Sequence, residues 1–292
     1  MTQFSTLQHE ADGLSAGLPP LMVEADHLAA SVSLGVHGRR RAGMGESFWQ
    51  FRRYASHDSS AAIDWRQSAK SQHIFVRERE WEAAQTVWFW RDASANMSFK
   101  SGPKGSDVSK RDRADLLLLA LASLLVRGGE RVGFLGMEGG ASASRQALTR
   151  IGRTMFAAST AALPPPAPFK RGNQLVWFSD FLDDGVFDAM KHLSRLGVAG
   201  HLVRIIDPAE EDFPYTGRTR FESPPNQNNK GQEDEIFGRA ERIRAPYRAR
   251  FIAHGERIAQ AAAQLGWTCT VHRTDHAPQA SLIALHAAIG GI

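Results

Sequence analysis

The sequence predicts an α/β protein: a doubly wound, mostly parallel sheet flanked by helices, preceded by an N-terminal elaboration of strands and loops. Three observations predict it. Short apolar runs at Thr86 to Trp90, Gln174 to Phe178 and His201 to Ile206 have the length and composition of strands buried on both faces. Between them stand the helical patterns Arg113 to Val126, Ser144 to Ala158 and Gly185 to Leu196, long enough to carry the chain back across a parallel sheet. Strands and helices alternate instead of forming separate blocks, which places helices on both faces of one sheet.

The elements follow in order. From His27 to Arg79 glycine, arginine and aromatic residues dominate, with Gly38 to Gly45 turn-prone and Phe48 to Tyr54 and His73 to Glu78 extended. After the Thr86 strand, Lys100 to Lys110 reads as a loop, and the Arg113 helix stops at Gly128-Gly129. Arg131 to Met137 is a strand, and Pro164-Pro165-Pro166 is a spacer before the Gln174 strand. Pro208 to Glu233, rich in Pro, Gly, Asn and charge, reads as a long surface loop. Asp234 to Leu265 is helical, with a kink or break expected at Pro246. Trp267 to Arg273 supplies a last strand and Pro278 to Ile289 a closing helix. The division is residues 1–80 as the elaboration, packed on a main domain of residues 81–292.

Composition excludes several classes. With 42% hydrophobic and 23% charged residues, the 292-residue chain is ordinary globular material. Its single cysteine, Cys269, cannot close an internal disulfide, which fits a reducing, cytoplasmic setting. Neither a basic start with an apolar run nor a stretch of about 20 apolar residues is present, so secretion and membrane insertion are not expected. The net charge of +4 is spread out except at Arg39-Arg40-Arg41, which reads as a solvated basic loop and not a nucleic-acid stripe.

One motif carries chemistry. Asp92-Ala93-Ser94-Ala95-Asn96 follows the Thr86 strand with an oxygen ligand at every second position. In doubly wound sheets ligands gather at the carboxyl ends of the strands, where this loop lies. A carboxylate and two neutral oxygens form half of a site for a hard cation such as Mg²⁺, and Ser179-Asp180, after the Gln174 strand, offers the other half. The metal-ligand candidates are therefore Asp92, Ser94, Asn96 and Asp180. The alternative is structural: Asx and Ser side chains capping a strand-end loop.

An upstream cluster of Tyr54, His57, Asp58, Asp64, Trp65 and Arg66 reads as structural, with Asp64 and Arg66 a buried ion pair and Trp65 a core anchor. Gly102-Pro103-Lys104-Gly105-Ser106 lacks the spacing of a phosphate-cradling loop, and no dinucleotide fingerprint follows a strand.

These residues resemble a known family. Arg53-Tyr54, Asp58, Ile63-Asp64-Trp65, Ser68-Ala69-Lys70 and Val76-Arg77-Glu78, leading to a strand and Asp92-Ala93-Ser94-Ala95-Asn96-Met97, are similar to the bacterial domain-of-unknown-function family fifty-eight. Val132-Gly133, Ser179-Asp180-Phe181, Tyr247, Gly266-Trp267 and Thr274-Asp275 extend the resemblance from about Gly35 to the C-terminus. It implies a von Willebrand factor A-like fold, genes encoded near an AAA+ ATPase of the MoxR type, and a role in assembly or maturation of other proteins. It also implies a metal-ion-dependent adhesion site, with Asp180 as the late aspartate and Ser159 or Thr160 as candidates for the threonine drawn from a separate loop. The sequence departs from the pattern at Asn96, where a third serine is usual, at His57, where glycine precedes Asp58, and at Ala62, where arginine is common.

The expectation is a non-enzymatic adaptor. The crevice between the Asp92 and Asp180 loops would receive a partner's acidic side chain, bridged by Mg²⁺ if bound, with an AAA+ ATPase as partner. The rival is a metal-dependent hydrolase with Asp183 or Asp184 as general base.

Overall fold

The computed structural model describes residues 20–32, 42–55, 58–80, 84–157, 160–221 and 235–290. Arg39 to Arg41, His57 and Ser159 lie outside these residues. The chain divides into two compact units, residues 37–85 and the remainder.

The larger unit begins with a helix over residues 20–32 (α1), for which the sequence reading made no provision. Ala25, Leu28, Ala29 and Val32, spaced by three or four residues, are buried in the core. In the smaller unit, β1 (Ala42–Arg53) and β2 (Phe75–Glu80) pair antiparallel, joined through a short helix α2 (Trp65–Ser68). Asp58 accepts from the Arg52 guanidinium at 2.8 and 3.0 Å and from the Ala55 amide at 2.7 Å. The expected Asp64–Arg66 ion pair is not formed. Asp64 instead caps α2, accepting from the Gln67 amide at 2.8 Å, while Arg66 is exposed and Trp65, at 66% exposure, anchors no core.

The main sheet is built from β3 (Thr86–Arg91), β4 (Arg131–Phe134), β5 (Gln174–Ser179), β6 (Ala199–Ile206) and a last strand, Thr268–Arg273. All neighbours are parallel, in the order β4-β3-β5-β6 followed by that last strand. Helices α3 (Lys110–Arg127), α4 (Arg145–Phe156) and α5 (Val186–Arg195) make the crossovers. The doubly wound α/β class is therefore the one expected. From Ala114 to Leu125 every residue of α3 is buried, and each fully buried leucine contributes about 2 kcal/mol by area removed from water. The helix ends where expected: Gly129, at φ 86°, takes the left-handed conformation that lets the amides of Gly129 and Glu130 reach back to Val126 and Leu125.

Two readings of the C-terminal third need correction. Pro208 to Glu233 does not begin as a loop: α6 (Pro208–Asp212) starts there, and β7 (Thr219–Phe221) pairs with β8 (Glu235–Phe237). Residues 222–234 lie outside the described residues. Nor does Pro246 kink a helix, because α7 (Arg244–Gln264) begins two residues before it. In a first turn the missing proline amide would have had no helical partner anyway. The last strand, now β9, and α8 (Pro278–Gly290) close the fold.

Candidate functional site

Chain direction across the sheet reverses at β3, which sits between β4 and β5. At such a switch point the loops after the two central strands separate and leave a crevice at their carboxyl ends. Asp92 follows β3 and Asp180 follows β5, so the structure brings together two of the four candidate ligands that are 88 residues apart in the chain (180 − 92).

Asp92 is buried, at 1% exposure. Its amide donates to the Phe178 carbonyl at 2.9 Å, its Oδ1 accepts from the Ser94 amide at 2.7 Å, and its Oδ2 accepts from Ser179 Oγ at 2.7 Å. Burial and the negative charge of Asp180 raise its pKa above the usual carboxylate range, while the hydrogen bonds from Ser179 and Ser94 act in the opposite direction.

Asp180 is held from both ends. Its Oδ1 accepts from the Leu182 amide at 3.1 Å and its Oδ2 from Lys110 Nζ at 2.9 Å. The bend that allows this passes through Phe181, a non-glycine residue at φ 59°, held by its amide on Ser179 Oγ at 2.8 Å and by its carbonyl at 2.9 Å from His254 Nε2. A left-handed bulky residue costs on the order of 1–3 kcal/mol and persists only where its surroundings enforce it.

Lys110 is the hub of the crevice. Its side chain is 1% exposed, and its ammonium also donates to Glu210 Oε1 at 2.6 Å. Burial works against the charge, yet the carboxylates of Asp180 and Glu210 hold its pKa above the ordinary lysine value. Glu210 belongs to a capping box on α6: its Oε2 accepts from the Asp207 amide, and Asp207 accepts from the Ala209 amide, both at 2.8 Å. Asp207 Oδ2 takes a further bond from the Ser101 amide at 3.0 Å. Three loops, those after β3, β5 and β6, are thereby tied into one carboxyl-end assembly.

Ser94 and Asn96 stand at the start of a 3-10 turn, Ala95–Ser98, and both are half-buried. The carbonyls of Ala93 and Ser94 accept from Arg111 Nη2 at 3.0 and 3.2 Å, and the Asn96 carbonyl accepts from the Phe99 amide. Thr160 is exposed. The residues as arranged do not fit a divalent cation: all four oxygens of Asp92 and Asp180 already face donors, one of them an ammonium. Among the described residues no group of three or more His, Cys, Asp or Glu side chains is placed to hold a metal.

Beside the Asp92 loop lies a hollow of about 430 Å³, in which the charged residues Arg91, Lys100, Arg111, Asp112 and Asp115 stand beside the apolar Met155 and Phe156. Arg91 and Asp115 neutralise each other at 2.8 Å. Arg111 keeps a buried Nε without a hydrogen-bond partner, and burial together with the Arg91 charge lowers its pKa from the ordinary value. Phe99, 38% exposed, and Leu182, 47% exposed, stand on the loops that carry Asp92 and Asp180.

Sequence reasoning missed Lys110, Asp207 and Glu210. Two signals were present. A lysine opening a long helix opposes the helix dipole and needs a local anion, and Asp207-Pro208-Ala209-Glu210 is a capping-box string with proline at the first helical position.

Residues 50–257 match the family described as "Protein of unknown function DUF58", and the chain belongs to that family. Uncharacterized proteins of Mycobacterium bovis and Mycobacterium tuberculosis are each 25% identical over 223 residues, covering 70% of this chain and 68% of theirs. Among solved structures, the chain is similar to a conserved hypothetical protein, BatB, from Bacteroides thetaiotaomicron, with 13% identity, TM-score 0.40, and coverage of 71% of this chain and 98% of that one. It is also similar to an aerotolerance-related membrane protein from Bacteroides fragilis carrying mutations to serine, with 15% identity, TM-score 0.35, and coverage of 72% and 100%. No helix among the described residues is long and apolar enough to cross a membrane.

Proposed function

We propose that this protein is a cytoplasmic interaction adaptor that docks an acidic side chain of a partner, an AAA+ ATPase of the MoxR type, at the carboxyl end of its sheet. The observation that supports this reading is the hollow beside the Asp92 loop, whose lining carries more basic than acidic side chains. Its Arg91–Asp115 pair is internally neutral, which leaves the two positive charges of Lys100 and Arg111 against the single carboxylate of Asp112 among the charged lining residues. A carboxylate arriving there gains charge-assisted bonds from the cations that line the hollow in excess of its acids. Exposed Phe99, between the lining residues Ser98 and Lys100, and Leu182, on the neighbouring carboxyl-end loop, offer apolar contact around a polar anchor. The resemblance set out from the sequence supplies the choice of partner.

The hydrolase reading has less support. Asp183 and Asp184 are exposed, and Asp183 Oδ1 accepts from the Gly185 amide at 2.8 Å, while Asp92 and Asp180 are buried and fully engaged. The test is calorimetric titration with the purified ATPase. Binding by wild type that is lost in Arg111→Glu and weakened in Leu182→Asp supports the adaptor; equal binding by all three places the interface elsewhere, and turnover of phosphoesters or peptides by the adaptor alone would revive the enzyme.

A further inference from the structure

The crevice has the address of a metal site and the occupancy of a salt bridge. Asp92 and Asp180 stand at the switch point of the sheet, where an ion-dependent site would stand, and Glu210, on the helix after β6, reaches the same lysine as Asp180. The charge that meets Asp180 and Glu210 comes from the chain itself, through an ammonium 2.9 Å from one and 2.6 Å from the other.

We propose that the Lys110 ammonium is the built-in cation of this crevice, occupying the place a divalent ion would take between Asp180 and Glu210, so that the crevice works without metal. The inference goes beyond docking, since it concerns what neutralises the crevice and not what binds beside it.

Placement argues for it first. Lys110 is the first residue of an 18-residue helix, where the helix dipole disfavours a cation. At 1% exposure it also forgoes hydration. A lysine is kept in such a place only by near, well-aimed anions, and two are present. Exclusion argues second. Oxygen-bound Mg²⁺ stands about 2.1 Å from its ligands, so an ion on Asp180 Oδ2 would crowd the ammonium already at bonding distance from that atom. Like charges so close in a buried site repel strongly. Charge balance argues third: Asp180 and Glu210 carry two negative charges, which a divalent ion would match once the lysine is gone.

Mn²⁺, a paramagnetic stand-in for Mg²⁺, provides the test by titration followed by electron paramagnetic resonance, with thermal unfolding read in parallel. Wild type is expected to show no saturable Mn²⁺ site at millimolar ion and the same unfolding temperature with Mn²⁺ as with chelator. Lys110→Ser, which opens space for an ion, is expected to unfold at lower temperature in chelator, to gain one saturable site, and to recover several degrees with Mn²⁺. Lys110→Ala, which likewise opens space and removes the charge, serves if the serine variant does not fold. Adding Asp180→Asn to either variant should abolish the gained site. A saturable site in wild type overturns the proposal. So does failure of both folded variants to gain one, or persistence of the gained site in the double variant. If neither variant folds, the wild-type titration decides by itself.

Discussion

Arg91 Nε donates to Asp115 Oδ1 at 2.8 Å with both side chains at most 4% exposed, pinning the end of β3 to the second turn of α3 immediately before the Asp92 loop. The same guanidinium donates to the Met155 carbonyl at 2.7 Å, so it also holds the end of α4. Arg91→Met leaves a buried carboxylate unpaired and should destabilise the fold by about 3–5 kcal/mol, measured by urea denaturation. The double change Arg91→Met with Asp115→Leu should recover much of that loss, because desolvation of the pair offsets most of its attraction. A double variant as unstable as the single one would show that the Met155 bond, and not the ion pair, carries the effect.

Glycine makes room for tryptophan on two strands. The indole of Trp267 packs against Gly200 so closely that a Cβ there would overlap the ring, and its Nε1 donates to the Val198 carbonyl at 3.1 Å. On β4, a Cβ at Gly133 would stand 2.7 Å from Cζ3 of Trp88, its register partner on β3. Gly200→Ala and Gly133→Ala should each cost about 1–3 kcal/mol through overpacking, read as a lower thermal midpoint with altered tryptophan fluorescence. Neutral outcomes would mean that the rings move aside freely.

His201 and His272 are buried, and burial depresses both to a pKa of about 4. A free histidine takes its proton near pH 6.5. The unfolded chain therefore binds protons that the folded chain refuses between these values, and each histidine's contribution is present above about pH 6.5 and lost as pH falls toward 4. Asp115, raised to about 6 by burial, works in the opposite sense, losing stability as pH rises from its unfolded value. The comparison that isolates the histidine is wild type against His201→Gln, whose loss of stability between pH 7 and pH 4.5 should be smaller. Parallel pH curves would remove His201 from the account.

Asp207 caps α6 and accepts from Ser101, 106 residues earlier in the chain. Asp207→Ala should cost about 1–2 kcal/mol as a lost N-cap, and hydrogen exchange at the Ser101 amide should quicken because that donor loses its acceptor. Unchanged exchange at Ser101 would mean that the loop is held by other bonds.

Much of the fold was legible in the sequence because its signals are local. The run Gln174 to Phe178 reads as a strand buried on both faces, and Gly128-Gly129 reads as a helix stop, as the structure has them. The helix over residues 20–32 carried an equally local signal in Leu21, Ala25, Leu28, Ala29 and Val32, hidden by the glycine- and arginine-rich stretch that follows. Pro246 misled for the opposite reason: its effect depends on where in a helix it falls, and the strand Glu235–Phe237 that precedes the helix draws its identity from pairing with Thr219–Phe221. At the site, Asp92 and Asp180 were visible because each directly follows an apolar strand.

By itself, then, the sequence determined the alternation of strands and helices, the positions of the two crevice aspartates and the family, because short-range patterns of burial and turn chemistry are written in neighbouring residues. Only the tertiary structure decided what those aspartates meet. Lys110 reaches Asp180 across 70 residues and Glu210 across 100, and no periodicity links positions so distant. Their meeting follows from the order in which five strands pair, a choice made by the packing of the whole core, and it places an ammonium where the motif taken alone suggested a metal.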